Sequence, residues 1–182
     1  MTKKIFLITA VIILLLLFAN FKKIASIIYP VHYENYVKKY SIKYDIDPYL
    51  VFSLIKVESK FNPYAESNKG AIGLMQITPS TGRYISTKLG DSEFDDDKLY
   101  DPEKNIEYGC FYIAKLRKDF NGDMECMLLA YNGGEGNVRK WLKDLNSRNA
   151  GIDFRSFPFA ETRQYVVRVE KNYRLYRYIY AK

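Results

Sequence analysis

Histidine occurs once in this 182-residue chain, at His32, cysteine only twice, and no CxxC pair exists. That scarcity leaves a zinc site without ligands, and nothing implies a metal or a cofactor. Strand signals are almost missing too, which argues against sheet architectures. No internal repeat appears, nor any low-complexity tract beyond the N-terminus, so a repeat array is excluded. What remains is a length suited to one sizeable core.

The N-terminus differs from the rest. Ile5 to Ala19 is apolar except for Thr9, contains no acid, and is flanked by Lys3, Lys4, Lys22 and Lys23. Its length suits a signal-peptide core or a short spanning helix. No small-x-small cleavage pattern follows closely and Phe21 to Ile28 stay fairly apolar, so residues 1–28 read as an uncleaved anchor, with the body outside the cytoplasm. Cleavage would make the body a secreted one. Lys3, Lys4 and the terminal amine favour an inside N-terminus, although the second lysine pair weakens that asymmetry.

The formal net charge is +7, and removing these four lysines leaves +3. The last twenty residues set Arg163, Arg168, Lys171, Arg174, Arg177 and Lys182 against Glu170 alone. A basic end suits an anionic polymer or a membrane face, and equally a solvated helix face. Nucleic acid finds no supporting motif and conflicts with export. Cys110 and Cys126 fall where helical patterns place apolar residues and read as buried thiols, with a disulfide left open.

Past the anchor, residues 29–43 read as a linker helix. Asp47 and Pro48 then supply an N-cap and a first helical position for a helix to about Lys60. Asn62, Pro63, Asn68, Gly70 and Gly73 break any regular pattern up to Ile77, which predicts a loop with a small hairpin. Thr78-Pro79 and Asp101-Pro102 open two more helices. Ile106, Cys110 and Ile113 recur at helical spacing, as do Met124, Met127, Leu128 and Tyr131. A short helix over Val138 to Leu145 and a long one from Glu161 complete a mainly α domain of six or seven helices over 44–182.

In the helix from Pro48, Val51, Leu54 and Ile55 define the inward stripe, and Glu58 takes its next position. Burial without a cationic partner raises a carboxyl pKa, as a general acid working near neutrality requires. The helix ends right after Glu58, so the acid sits at the rim between core and loop. Snorkelling to the surface is the plainer alternative. The small-residue run Gly70 to Gln76 can bring backbone amides close to a ligand, with Gln76 as an adaptable donor and acceptor.

Glu58-Ser59-Lys60-Phe61-Asn62-Pro63, followed by Ala65, Ser67, Gly70 and Gly73-Leu74-Met75-Gln76, resembles the signature of the soluble lytic transglycosylase family. Ala130-Tyr131-Asn132-Gly133-Gly134, with Gly136 and Val138, resembles its second motif. Pro158-Phe159-Ala160-Glu161-Thr162-Arg163, with Tyr165-Val166, resembles its third. The resemblance covers roughly Tyr44 to Tyr178. It implies a lysozyme-like helical domain that cuts the β-1,4 bond between N-acetylmuramic acid and N-acetylglucosamine in peptidoglycan strands, leaving a 1,6-anhydro end. By the same resemblance Glu58 is the sole acid and base, the Tyr131 hydroxyl points toward its carboxyl, and Ser67, Gln76, Asn132 and Glu161 contact sugar.

A standard glycosidase needs two carboxyl groups. No second acid sits in a comparable setting: Asp95 to Asp97 read as a solvated turn, and Glu161 is the rival. A hydrolytic goose-type muramidase and a non-catalytic wall-binding scaffold are the alternatives, and cell-wall or secretion machinery remains open as a partner.

Overall fold

The computed structural model describes residues 2–147 and 151–181. Lys182 of the basic tail lies outside them. The N-terminus forms helices α1 (Thr2–Ala19) and α2 (Phe21–Ile28). Helices α3 (Glu34–Tyr44), α4 (Pro48–Glu58), α5 (Pro79–Leu89), α6 (Pro102–Asp119), α7 (Met124–Gly133), α8 (Glu135–Ser147) and α9 (Ala160–Tyr180) make the body.

Three helix starts follow directly from local chemistry. Asp47, Thr78 and Asp101 each accept a hydrogen bond from a backbone N–H of the first turn, while the proline that follows lacks the N–H a helix start would leave unpaired. The ends are less regular. α4 stops at Glu58 because Lys60 and Phe61 take left-handed backbone angles, φ 52° and 68°. α8 begins at Glu135, three residues before the expected Val138. Asp95 is not simply solvated: it caps a short 3-10 helix over Asp96–Tyr100.

α4 packs along α9, and α7 joins both α6 and α9. Val51, Leu54 and Ile55 are fully buried between them. The segment read as a linker is part of this body. α3 lies against α6 and α4, Val37 is fully buried, and Lys39 and Lys43 reach Glu103 and Glu107 of α6. Its apolar spacing was masked in sequence by tyrosines and lysines, whose stems also cover apolar surface. Residues between α4 and α5 form a loop closed by two isolated antiparallel bridges, Glu66 with Ile72 and Ile72 with Ile77. Cys110 and Cys126 are both buried and free.

The single N-terminal spanning helix expected over 1–28 is not what forms. Among the described residues no one helix is long and apolar enough to cross a membrane. Ile5–Leu16 and Phe21–Ile28 have the length and composition only as a pair, bent by 63°.

Candidate active site

Glu58 is the last residue of α4, carried to the rim by the same stripe that buries Leu54 and Ile55. It lines a cleft of about 850 Å³, within the range usual for small-ligand sites. The Tyr165 hydroxyl of α9 donates to Glu58 Oε1 at 2.6 Å. Burial pushes the Glu58 carboxyl up to about 7, against the opposing pull of the Tyr165 hydrogen bond and the Arg168 charge. The carboxyl is therefore poised to hold or release a proton near neutral pH. Burial, reinforced by the charge of Glu58, holds the Tyr165 phenol well above its ordinary range, so it stays a donor.

The opposite wall is the loop from Ser67 to Gln76. Its shape depends on Asn105 of α6, which is fully buried. Asn105 accepts from the Met75 N–H at 2.7 Å and donates to the Ile72 and Leu99 carbonyls at 2.9 and 2.7 Å. Gly73, at φ 79°, lies so close to Asn105 and Leu99 that a Cβ would collide with both. Gln76 itself adopts φ 52° and donates its amide to the Ala65 and Gly73 carbonyls, each at 3.0 Å. Its side-chain carbonyl is left for other partners. The Ser67 oxygen accepts from the Lys69 and Ala71 N–H groups, leaving its own hydrogen to donate.

The third wall joins the end of α7 to the start of α9. Gly133 permits this approach, since a Cβ there would stand 3.0 Å from the Thr162 methyl. Asn132 and Glu161 flank the junction, both exposed to the cleft, and among the described residues neither side chain is engaged by a hydrogen bond or ion pair.

All six residues singled out from the sequence, Glu58, Ser67, Gln76, Tyr131, Asn132 and Glu161, thus line one cleft. One of them makes a different contact from the one expected. The Tyr131 hydroxyl donates to the Met75 carbonyl at 2.7 Å, and it is Tyr165 that holds Glu58. Tyr131 is a brace between α7 and the loop, near enough to Glu58 for a carboxylate there to oppose ionisation of the phenol. Tyr165, named only as part of the third motif, Arg168, named only in the basic end, and Asn105 were not anticipated as site residues. Tyr165 and Arg168 follow Glu161 by four and seven positions, a helical spacing that puts all three on one face. Asn105 had no such signal, because its partners lie in other segments. Among the described residues no group of three or more His, Cys, Asp or Glu could hold a metal ion.

Helices around a cleft with a single proton-poised carboxyl make this a lysozyme-like helical domain, and solved structures agree. The chain matches the 70 kDa soluble lytic transglycosylase of Escherichia coli with a TM-score of 0.77 at 33% identity, over 85% of this chain and 25% of that one. Lytic transglycosylase Slt of Pseudomonas aeruginosa matches with a TM-score of 0.76 at 31% identity, over 84% and 25%. Residues 35–153 match the transglycosylase SLT domain model, and the chain belongs to that family. Its relatives include the membrane-bound lytic murein transglycosylase C of Actinobacillus succinogenes, 35% identical over 80% of this chain and 46% of that one. The soluble lytic murein transglycosylase of Escherichia coli is 34% identical over 82% and 24%. The chain thus spans about half the length, or less, of the curated relatives it matches.

Proposed function

We propose that the chain is a peptidoglycan lytic transglycosylase in which Glu58 is both acid and base. The observation that carries the reading is the buried Glu58 carboxyl, raised to about 7 and held by Tyr165 at the cleft wall. Protonated Glu58 gives its proton to the oxygen of the β-1,4 bond as that bond to the muramoyl C1 breaks. The resulting carboxylate then takes the proton of the muramoyl C6 hydroxyl while O6 bonds to C1. The acid is regenerated, no water is consumed, and a 1,6-anhydro ring is left on one product with a free hydroxyl on the other. The Tyr165 hydrogen bond favours the ionised stage and the surrounding apolar residues the neutral one, so the two stages are close in energy.

Ser67, Gln76, Asn132 and Glu161 are proposed to contact the sugars. The exposed apolar helix α1 is proposed to anchor the enzyme in a membrane with the body outside the cytoplasm, in keeping with the membrane-bound name of one relative set. A hydrolytic reading has one observation in its favour: Glu161 shares the cleft and could hold a water. Mass spectrometry of the products from purified peptidoglycan separates the two. Anhydromuramoyl ends are expected, and reducing ends in their place would sink the single-carboxyl mechanism.

A further inference from the structure

The bend between α1 and α2 divides the N-terminus into two parts with different loyalties. In α1, the apolar side chains from Ile5 to Leu16 are exposed, and none of the described residues of the body buries them. The segment from α2 to Pro30 is strapped to the body. The Lys56 ammonium donates to the Ile28 carbonyl at 2.6 Å, Tyr180 to the Tyr29 carbonyl at 2.6 Å, and Tyr176 to the Pro30 carbonyl at 2.9 Å. Ala25 is buried, and Tyr178 of α9 packs beside the Phe21 ring and under the Lys22 ammonium. These contacts hold α2 against the body rather than in line with α1.

Its outer side is nonetheless apolar, with Ile24, Ile27 and Ile28 exposed by 40, 80 and 61%. Cations rim this face. Lys22 and Lys23 come from α2, while Lys171, Arg174 and Tyr178 recur on α9 at positions i, i+3 and i+7, one stripe of the helix, all exposed. The acids nearby are already engaged, Glu170 with Arg174 and Glu34 with Lys38. An apolar strip rimmed by more cations than acids, with Arg174 the one of the four cations that Glu170 engages, and by an exposed tyrosine fits a lipid headgroup layer, as in helices that lie in the membrane interface.

We propose that α2 and the C-terminal half of α9 dock the body onto an anionic membrane surface, with Ile24, Ile27 and Ile28 at the acyl boundary and Lys22, Lys23, Lys171 and Arg174 among the headgroups. The proposal rests on the reading of α1 as an anchor. It has a geometric consequence. α9 carries Glu161, Tyr165 and Arg168 at its other end, and the 17 residue steps from Glu161 to Tyr178 span about 25 Å of helix. The helix is then a strut that holds the cleft within that distance of the membrane, so the enzyme acts on glycan strands lying close to it.

The test uses the full chain in vesicles, with a single fluorophore on Ile27→Cys or on Leu14→Cys. Cys110 and Cys126 stay unlabelled, because both are buried and burial pushes their thiols up, that of Cys126 to about 12. In phosphatidylcholine vesicles containing phosphatidylglycerol, the position-27 label is expected to be quenched by a headgroup-level nitroxide lipid and not by a bilayer-centre one. Position 14 should be quenched by the deep lipid. Replacing Lys22, Lys23, Lys171 and Arg174 by glutamate should remove most of the shallow quenching at 27 and leave 14 unchanged. A position-27 label that neither lipid quenches, while 14 is quenched, would mean that the body hangs free on its anchor and would overturn the docking alone. Deep quenching at 27 would overturn it by making α2 part of the span. An unquenched position 14 would overturn the anchor itself, and the docking with it.

Discussion

Asn105 and Glu58 are both carried inward by the helices of this domain, the first fully and the second at the rim, and they are treated in opposite ways. Asn105 is fully buried, and three hydrogen bonds, to Met75, Ile72 and Leu99, answer its amide. Glu58 has, among the described residues, one hydrogen-bond partner, Tyr165, and its remaining capacity faces a cleft. Leaving water costs a polar group free energy unless its bonds are replaced. Where replacement is complete, as at Asn105, the group fixes a loop and does nothing else. Where it is partial, the deficit appears as a displaced pKa, and that is what chemistry can use.

The largest effect expected from this contrast belongs to Glu58→Gln. The amide keeps the shape and an acceptor for Tyr165, but has no proton to give. Cleavage of purified peptidoglycan is expected to fall by about 10⁴-fold, comparable to losing a central catalytic group elsewhere. The same change should stabilise the fold at alkaline pH. The folded-state pKa of about 7 lies above the ordinary 4.5, so between those values the folded protein holds a proton that the unfolded chain lacks. Wild-type stability therefore declines from pH 4.5 up to 7 and carries the full penalty above it. That penalty is about 3 kcal/mol at complete burial, and the partial exposure of Glu58 reduces it to about 2 kcal/mol. Urea denaturation should find Glu58→Gln more stable than wild type by that amount at pH 8 and nearly equal at pH 4.5. A pH-independent difference would mean that Glu58 is not the strained group.

The converse experiment is Asn105→Ala. It strands the Met75 N–H and two carbonyls in the core, and should destabilise the fold by about 3 kcal/mol, since each unanswered buried group costs 1 kcal/mol or more. The Gly70–Gln76 wall would loosen, so activity should fall mainly through KM. The pH at which activity declines on the alkaline side should stay where it is, because Asn105 does not touch Glu58. A shift of that limb would show that the two centres are coupled.

The same contrast explains what could be read from sequence. Capped starts such as Asp47-Pro48 and Asp101-Pro102 are local, decided by a few neighbouring residues, and were legible. So was Glu58, because helical periodicity alone points it inward. The wall residues Ser67, Gln76, Asn132 and Glu161 came from motif resemblance, and the cleft does bring them together. What stayed hidden depends on contacts distant in sequence. Asn105 answers groups about thirty positions away, and Tyr165 reaches Glu58 across 107. The Tyr131 hydroxyl, which the resemblance aimed at Glu58, donates to the Met75 carbonyl instead, because a motif names a residue without fixing which acceptor its phenol meets. α3 was missed as core because only its packing on α6 reveals what Val37 is for.

Tyr165→Phe offers the smallest and most discriminating effect. Removing a hydroxyl that donates to Glu58 takes away a contact favouring the carboxylate, so burial then acts with less opposition. The acid should become weaker, and the alkaline limb of the kcat/KM profile, which reports loss of the Glu58 proton, should move to higher pH. The rate at the optimum should drop about tenfold, the usual order for one hydrogen bond to a charged group. Arg168→Gln removes a more distant positive charge and should move the limb the same way by less. If Tyr165→Phe moved the limb downward, Tyr165 would be favouring the neutral acid, and the division of labour between the tyrosine and the apolar wall would have to be reversed.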